Sequence, residues 1–413
     1  MAESNRLTRR SFLKETVTGL AAGPLLAAAP SLSAAQNAPK TKGGAVIVRT
    51  LGRTGFKAPI VGMGVMNADN PALVQRAYET GMRHFDTAAY YQRGKNEEMV
   101  GRVLKELNGR KEAVIGTKIY IPKNRRSMPV SQVKDFYLKT AEESLRRLQT
   151  DTIDILYSHN VSETGWLMND GVLEALRTLK EQGKTRFIGF STHENMTAVI
   201  EPAVASSPYD VILTTFNYSL AEDRTMDAAL RKAQAKGIGL IAMKTQCQQG
   251  WYRSDIKAAN KDMFNRYYTG TLMNTALLKW ALNHPSISWA IPGFTNFQQI
   301  DEDFPVARDL EYTREEKAFL EDRNIKAGMD AVCKLCRQCT NLCPAKVDIA
   351  GLLRVHMYAA SYGNFTHARQ VLADIPQDRG LKNCADCARC AAVCRGRVDI
   401  ARRIDELKTI FLG

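Results

Sequence analysis

Eight short apolar runs, each followed by an amphipathic stretch, fill the middle of this chain and leave few folds open to it. The runs are Ile60–Val65, His84–Thr87, Ala113–Lys118, Ile153–His159, Phe187–Ser191, Val211–Phe216, Gly239–Lys244 and Ser288–Pro292. Between them Leu73–Thr80, Asn96–Leu107, Val133–Leu148, Gly171–Gln182 and Asp227–Lys236 carry helical apolar spacing. Near-continuous apolar strands separated by helices predict a parallel sheet covered on its faces. Eight such units over about 240 residues predict an α/β fold of the (β/α)8 TIM-barrel kind, not an open doubly wound sheet. No G-x-G-x-x-G follows the first run, which argues further against a Rossmann domain. Val46–Pro59, with Gly52 and Gly55 at its turn, reads as a hairpin ahead of the barrel. A long loop, about Thr245 to Thr269, follows the seventh strand and is expected to shape the substrate mouth.

The C-terminal part obeys a different rule. Cys333, Cys336, Cys339 and Cys343, then Cys384, Cys387, Cys390 and Cys394, both read C-x2-C-x2-C-x3-C; only Cys247 stands apart. That spacing wraps three thiolates around one iron–sulfur cube and sends the fourth to the other. Two [4Fe–4S] clusters follow, one on Cys333, Cys336, Cys339 and Cys394, the other on Cys384, Cys387, Cys390 and Cys343. Structural zinc would leave the middle cysteine of each triplet unexplained. Disulfides would join thiols on neighbouring turns in poor geometry. Pro344 follows the first run but Arg395 the second, a small departure. Ile349–Ala360 and Thr366–Ala373 have helical character, so the tail is expected to be a small α-helical ferredoxin-like domain with clusters in place of a large core.

Four residues at successive strand ends stand out: Asp86 and Tyr91 after the second, Lys118 on the third and His159 on the fourth. Ends of consecutive strands in one barrel converge on its axis. A buried Lys118 needs an anion, which Asp86 can supply. A Tyr beside that ammonium is expected to lose its proton more easily, as acid–base work near neutrality requires. His159 can orient a carbonyl oxygen. Each residue alone has a structural explanation; together they point to a site.

These motifs resemble the aldo-keto reductase family over about 270 residues. The matching stretches are LGRTGFKAPIVGMG, Asp86-Thr87-Ala88-Ala89-Tyr90-Tyr91, Asn96-Glu97-Glu98 to Gly101, Asp154 to His159, and Ile188-Gly189-Phe190-Ser191. The resemblance implies a catalytic tetrad of Asp86, Tyr91, Lys118 and His159, and hydride transfer between NAD(P)(H) and a small carbonyl or alcohol substrate. It implies nucleotide contacts at Ser191, Lys244, Gly293, Thr295 and Asn296. Leu213 falls where the family has a glutamine, and Gly293-Phe294-Thr295-Asn296 lacks the Lys and Arg that hold a 2′-phosphate. NAD versus NADP therefore stays open. The tail resembles the subgroup with a C-terminal 4Fe–4S domain, Pro344 to Ile349 matching its C-P-x-x-x-D-I element.

The formal charge of +14 invites a nucleic-acid reading, but the basic residues are dispersed and no nucleic-acid motif appears. Thr8-Arg9-Arg10-Ser11-Phe12-Leu13-Lys14, a weakly apolar Val17–Leu32 and Ser33-Ala34-Ala35 resemble a twin-arginine export signal. Such a route carries folded proteins, so clusters could cross intact to the periplasm. No membrane span is expected in the mature chain. The expected organisation is a signal over 1–35, a barrel over 46–322 and a 4Fe–4S domain over 323–413. The clusters are structural, a relay to a redox partner protein, or a sensor. The rival to an enzyme is a non-catalytic nucleotide-binding barrel serving an electron-transfer or docking module.

Overall fold

The computed structural model describes residues 44–206, 208–246, 271–329, 332–385, 387 and 390–412, all within one compact unit, Gly43–Gly413. The export-signal reading, Cys247 and nearly all of the loop expected over Thr245–Thr269 lie outside the described residues.

Eight parallel strands pair in chain order: β3 (Met63–Gly64), β4 (His84–Asp86), β5 (Val114–Ile119), β6 (Ile153–Ser158), β7 (Thr185–Thr192), β8 (Val211–Thr215), β9 (Gly239–Met243) and β10 (Trp289–Ile291). Parallel bridges Val61↔Ala290 and Gly64↔Gly293 join the first strand to the last and close the barrel. Every residue of β4, β5 and β6 is buried, as strands covered on both faces require. Val114, Ile155, Tyr157, Leu213, Ile241 and Trp289 fill the inside. The first strand is shorter than the apolar run suggested, because most of Ile60–Val65 meets its neighbours only through bridges and loop bonds.

A two-stranded hairpin, β1 (Val48–Thr50) with β2 (Lys57–Pro59), plugs one end of the barrel with Leu51. Its turn must be tight. Gly52 has φ +47°, and a Cβ there would stand 2.4 Å from the Gly239 nitrogen, so no other residue fits without a shift.

The helices Pro71–Thr80, Lys95–Glu106, Val130–Leu148, Asp170–Glu181 and Arg224–Ala235 fall within a few residues of their expected places. From Arg323 onward short helices alternate with loops, and Ile325, Met329 and Leu353 share a hydrophobic cluster with Met273, Ala276 and Leu277 of the barrel's outer helix Thr271–Asn283. Val-Asp-Ile follows each cysteine run, and its Asp caps a helix: Asp348 accepts from Gly351 N at 3.1 Å, and Asp399 from Arg402 N at 3.1 Å. Ile349–His356 runs into a wider π-type turn over Met357–Ser361, and Phe365–Ala373 follows. This segment lies over the barrel face where strands β4 to β7 end. Asn364 donates to Asn67 Oδ1 at 3.0 Å, Tyr90 donates to Asp374 at 2.7 Å, and Arg354 donates to Glu194 at 3.0 Å.

Candidate active site

Asp86 ends β4, Lys118 lies near the end of β5, and His159 follows β6 directly. Tyr91 opens the turn after β4, where Gln92 and Arg93 take φ of 51° and 57°, a left-handed conformation rare outside glycine. The four side chains line one cavity of about 300 Å³. Lys118 Nζ donates to Asp86 Oδ1 and, at 2.6 Å, to the Thr87 carbonyl. It sits 5.1 Å from the Tyr91 ring centroid, and the Tyr91 and His159 rings stand 5.7 Å apart at 83°.

A shell of buried polar bonds fixes this loop. Thr87 donates to Asn96 Oδ1 at 2.7 Å, and Asn96 donates to the Val65 carbonyl at 2.9 Å. Arg147 donates to Glu97 at 2.6 Å. Asn96 therefore braces the turns after β3 and β4 while Glu97 ties the same helix to Thr117 on β5 and to Arg147, which is why two polar residues sit with no exposure at the start of a helix.

Burial disfavours both charges of the catalytic pair: it raises the Asp86 carboxyl and lowers the Lys118 ammonium, against their mutual attraction. His159 is held well below its usual value by burial and then by Lys118, so its imidazole is neutral. Tyr91 differs from the expectation of an acidified phenol. Burial, then the Asp86 charge, lifts it well above 10. The Asp86 carboxylate and the burial of the phenol therefore outweigh any help from the Lys118 ammonium.

Ser191, Lys244, Gly293 and Thr295 line the same cavity. Ser191 Oγ accepts from Asn160 N at 3.0 Å. Lys244 follows β9 with φ +56°; its amine is buried with no hydrogen-bond partner among the described residues, and burial and then Arg354 lower it to about 7. The structure does not bring Asn296 into the cavity wall. Its side chain accepts from Gln299 N at 3.0 Å and caps the helix Phe297–Asp303. Leu213 packs inside the barrel, opposite Ser191 on the neighbouring strand.

Sequence reasoning missed a whole side of the cavity. Tyr358, Ser361, Tyr362 and His367, all from the C-terminal segment, line it too, as does His193 after β7. The signal was faint: Arg354, His356 and Tyr358 interrupt an otherwise apolar helical stretch. Also missed was Glu194, which binds Lys123 at 3.1 Å, Arg354 at 3.0 Å and Arg337, two of them from the C-terminal segment. Burial works against its ionisation, but the three cations overrule it and hold the carboxyl down to about 2.

The cysteines lie elsewhere. Cys333, Cys336, Cys339 and Cys394 line one cavity; Cys343, Cys384, Cys387 and Cys390 line another, of about 240 Å³. Each set takes three thiols from one run and the last from the other. All eight are free thiols. Among the described residues, no three His, Cys, Asp or Glu groups converge as a single metal ion would need. Zinc draws its thiolates onto one centre at about 2.3 Å, whereas a cube spreads its four over four irons. A cavity ringed by thiols fits the second arrangement.

The Aldo/keto reductase family model matches residues 61–322 and ends before the first cysteine run. L-galactose dehydrogenase of Arabidopsis thaliana is 31% identical over 290 residues, 64% of this chain and 89% of that protein. Pyridoxal 4-dehydrogenase of Microbacterium luteolum is 28% identical, over 47% of this chain and 68% of that one. Among solved structures, the holo form of aldo-keto reductase AKR11C1 from Bacillus halodurans matches with a TM-score of 0.55 at 20% identity, over 68% of this chain and 100% of that one. An aldo/keto reductase from Klebsiella pneumoniae in complex with NADP and acetate matches with a TM-score of 0.52 at 23% identity, over 67% and 95%.

Proposed function

Because the chain belongs to the aldo/keto reductase family and is an NAD(P)-dependent oxidoreductase, we propose that it moves a hydride between nicotinamide and a small hydroxylated carbonyl or alcohol compound. The observation that carries this reading is the meeting of Asp86, Tyr91, Lys118 and His159 in one cavity. The nucleotide, when bound, supplies or accepts the hydride, and Ser191, Lys244, Gly293 and Thr295 would hold it. The side chains do the rest. Tyr91 gives the proton to the substrate oxygen or takes it back, neutral His159 orients that oxygen, and Lys118 is locked in place by Asp86 and the Thr87 carbonyl. The sugar substrate in the name of the Arabidopsis relative supports the hydroxylated class. The Klebsiella neighbour holds NADP, but Thr295 and Gln299 offer neutral groups here where a 2′-phosphate would call for Lys or Arg, so we infer use of NAD or of both.

Two [4Fe–4S] clusters in the segment from 323 onward, and export by the twin-arginine route of a chain matured near Gln36, complete the proposal. The two thiol-ringed cavities support the first, and the Arg9-Arg10 motif the second. The decisive experiment incubates purified protein with NADH or NADPH and a panel of carbonyls, and with NAD or NADP and alcohols including L-galactose. Tyr91→Phe should lower turnover by about a hundredfold or more with nucleotide affinity kept; a near-normal rate removes Tyr91 from the mechanism. Protein made anaerobically should carry about eight irons and eight labile sulfides, and zinc in their place would end the cluster reading. Export should stop, with clusters retained, when Arg9 and Arg10 become Lys.

A further inference from the structure

Among the described residues, the C-terminal segment contributes to the active-site cavity only groups bearing a hydroxyl or an imidazole: Tyr358, Ser361, Tyr362 and His367. The barrel contributes the apolar lining, including Met66, Met243, Ile291 and Pro292. The polar wall stands directly against the acid–base residue. The His367 ring lies 5.9 Å from that of Tyr91 at 87° and 4.4 Å from that of Tyr358 at 72°, and Tyr362 stands 5.8 Å beyond Tyr358. Ser361 Oγ is buried with no hydrogen-bond partner among the described residues. An orphaned buried hydroxyl in a cavity wall is costly unless something entering the cavity satisfies it.

This wall is held firmly. Asn364 caps the helix that carries His367, accepting from His367 N at 3.0 Å, while its amide donates to Asn67 Oδ1 of the barrel at 3.0 Å. One residue thus starts the helix and pins it to the mouth. Tyr358 and Ser361 occupy the π-type turn, a geometry that re-aims side chains and recurs at functional sites. On the far side, Tyr90, next to Tyr91 in sequence, donates to Asp374 at the end of the same helix. The wall and the acid–base turn are therefore clamped at both ends of one helix.

We propose that the C-terminal segment is the recognition wall of the active site, with His367 and Tyr358 as positioning residues for a hydroxyl-bearing substrate of monosaccharide size. This rests on the oxidoreductase reading above and adds to it which residues choose the substrate. Aromatic faces cover the C–H faces of such a molecule, while the phenols, Ser361 and the imidazole exchange hydrogen bonds with its hydroxyls. A cavity of about 300 Å³ lies at the lower end for ligand sites of about 300–1,000 Å³, which suits a compact substrate beside the nicotinamide.

The test uses cluster-loaded full-length protein and three variants, His367→Ala, His367→Gln and Tyr358→Phe. Turnover, nucleotide binding and substrate binding by calorimetry are measured with L-galactose, D-galactose and benzaldehyde. His367→Ala should raise KM for the sugars about tenfold or more, with kcat down less than threefold and nucleotide affinity unchanged. Benzaldehyde, which offers no hydroxyls, should be little affected. His367→Gln should recover part of the loss, and Tyr358→Phe should show a smaller effect of the same kind. Unchanged iron content and circular dichroism confirm that the tail has stayed folded. Sugar KM values that do not move, or equal losses for sugars and benzaldehyde, would overturn the proposal while leaving the enzyme reading intact. Sugar binding without turnover, weakened by His367→Ala, would uphold the wall and sink the enzyme reading. A wild-type protein that neither binds nor converts either sugar would overturn the substrate class.

Discussion

Two buried carboxylates at the same barrel mouth live by opposite rules. Among the described residues Asp86 has one cationic partner, Lys118, and its second oxygen is buried without a hydrogen bond. Glu194 has three cationic partners, one on the barrel and two on the C-terminal segment. Burial prevails at Asp86 and raises its carboxyl; at Glu194 it is overruled and the carboxyl stays near 2. A carboxylate with spare capacity leaves its neighbours responsive to what enters the cavity. A saturated one has nothing left to give and works as a joint. The first sets up chemistry, and the second holds the wall that faces it.

The largest effect should come from unbalancing the catalytic pair. Lys118→Met should abolish turnover and, by leaving Asp86 buried and unpaired, cost about 3–5 kcal/mol in denaturant unfolding. Adding Asp86→Asn should restore much of that stability and none of the activity. If the single variant proves as stable as the wild type, the pair is not the buried couple described.

Breaking the joint should cost somewhat less. Glu194→Gln should destabilise by about 3 kcal/mol, and hydrogen exchange should rise chiefly over 349–373. KM for substrate should climb while kcat moves less, since the wall shifts and Tyr91 does not. Exchange that rises evenly over the barrel would show that Glu194 is not specific to the wall.

Acid sharpens the same contrast. The Glu194 carboxyl has an ordinary value of 4.5 and is lowered to about 2. Its stabilisation is therefore complete above pH 4.5 and is lost as pH falls through about 2; the full span is about 3 kcal/mol. Asp86 is shifted the other way and adds no loss in that window. Tm followed downward from pH 5 should fall more steeply for wild type than for Glu194→Gln, and parallel curves would deny the linkage.

The smallest effect is a flat line. Carbonyl reduction needs the protonated Tyr91 phenol, whose pKa lies above 10, so kcat for reduction should vary less than about twofold between pH 6 and pH 9. A fall with midpoint near pH 8 would mean that Lys118 acidifies Tyr91 after all.

The barrel and its four site residues were legible because their cause is local and repeated. Apolar runs at strand spacing can be buried on both faces only in a parallel sheet, and a short motif at a strand end is carried to the mouth by the strand itself. The crossed cysteine sets, too, follow from spacing. His367, Tyr358 and Glu194 were not legible. Nothing near Glu194 in the chain says that Arg337 and Arg354 will reach it, more than 140 residues away. The Tyr91 phenol was misjudged for a related reason: its pKa depends on burial and on the nearby Asp86 charge, and both are properties of the packed molecule. The sequence alone determined the barrel, the strand-end quartet and the thiol spacing, since each rests on periodicity or adjacency along the chain. Only the tertiary structure decided that the C-terminal helices would cover the mouth and furnish its polar wall, because contacts between distant segments are set by packing the whole core at once.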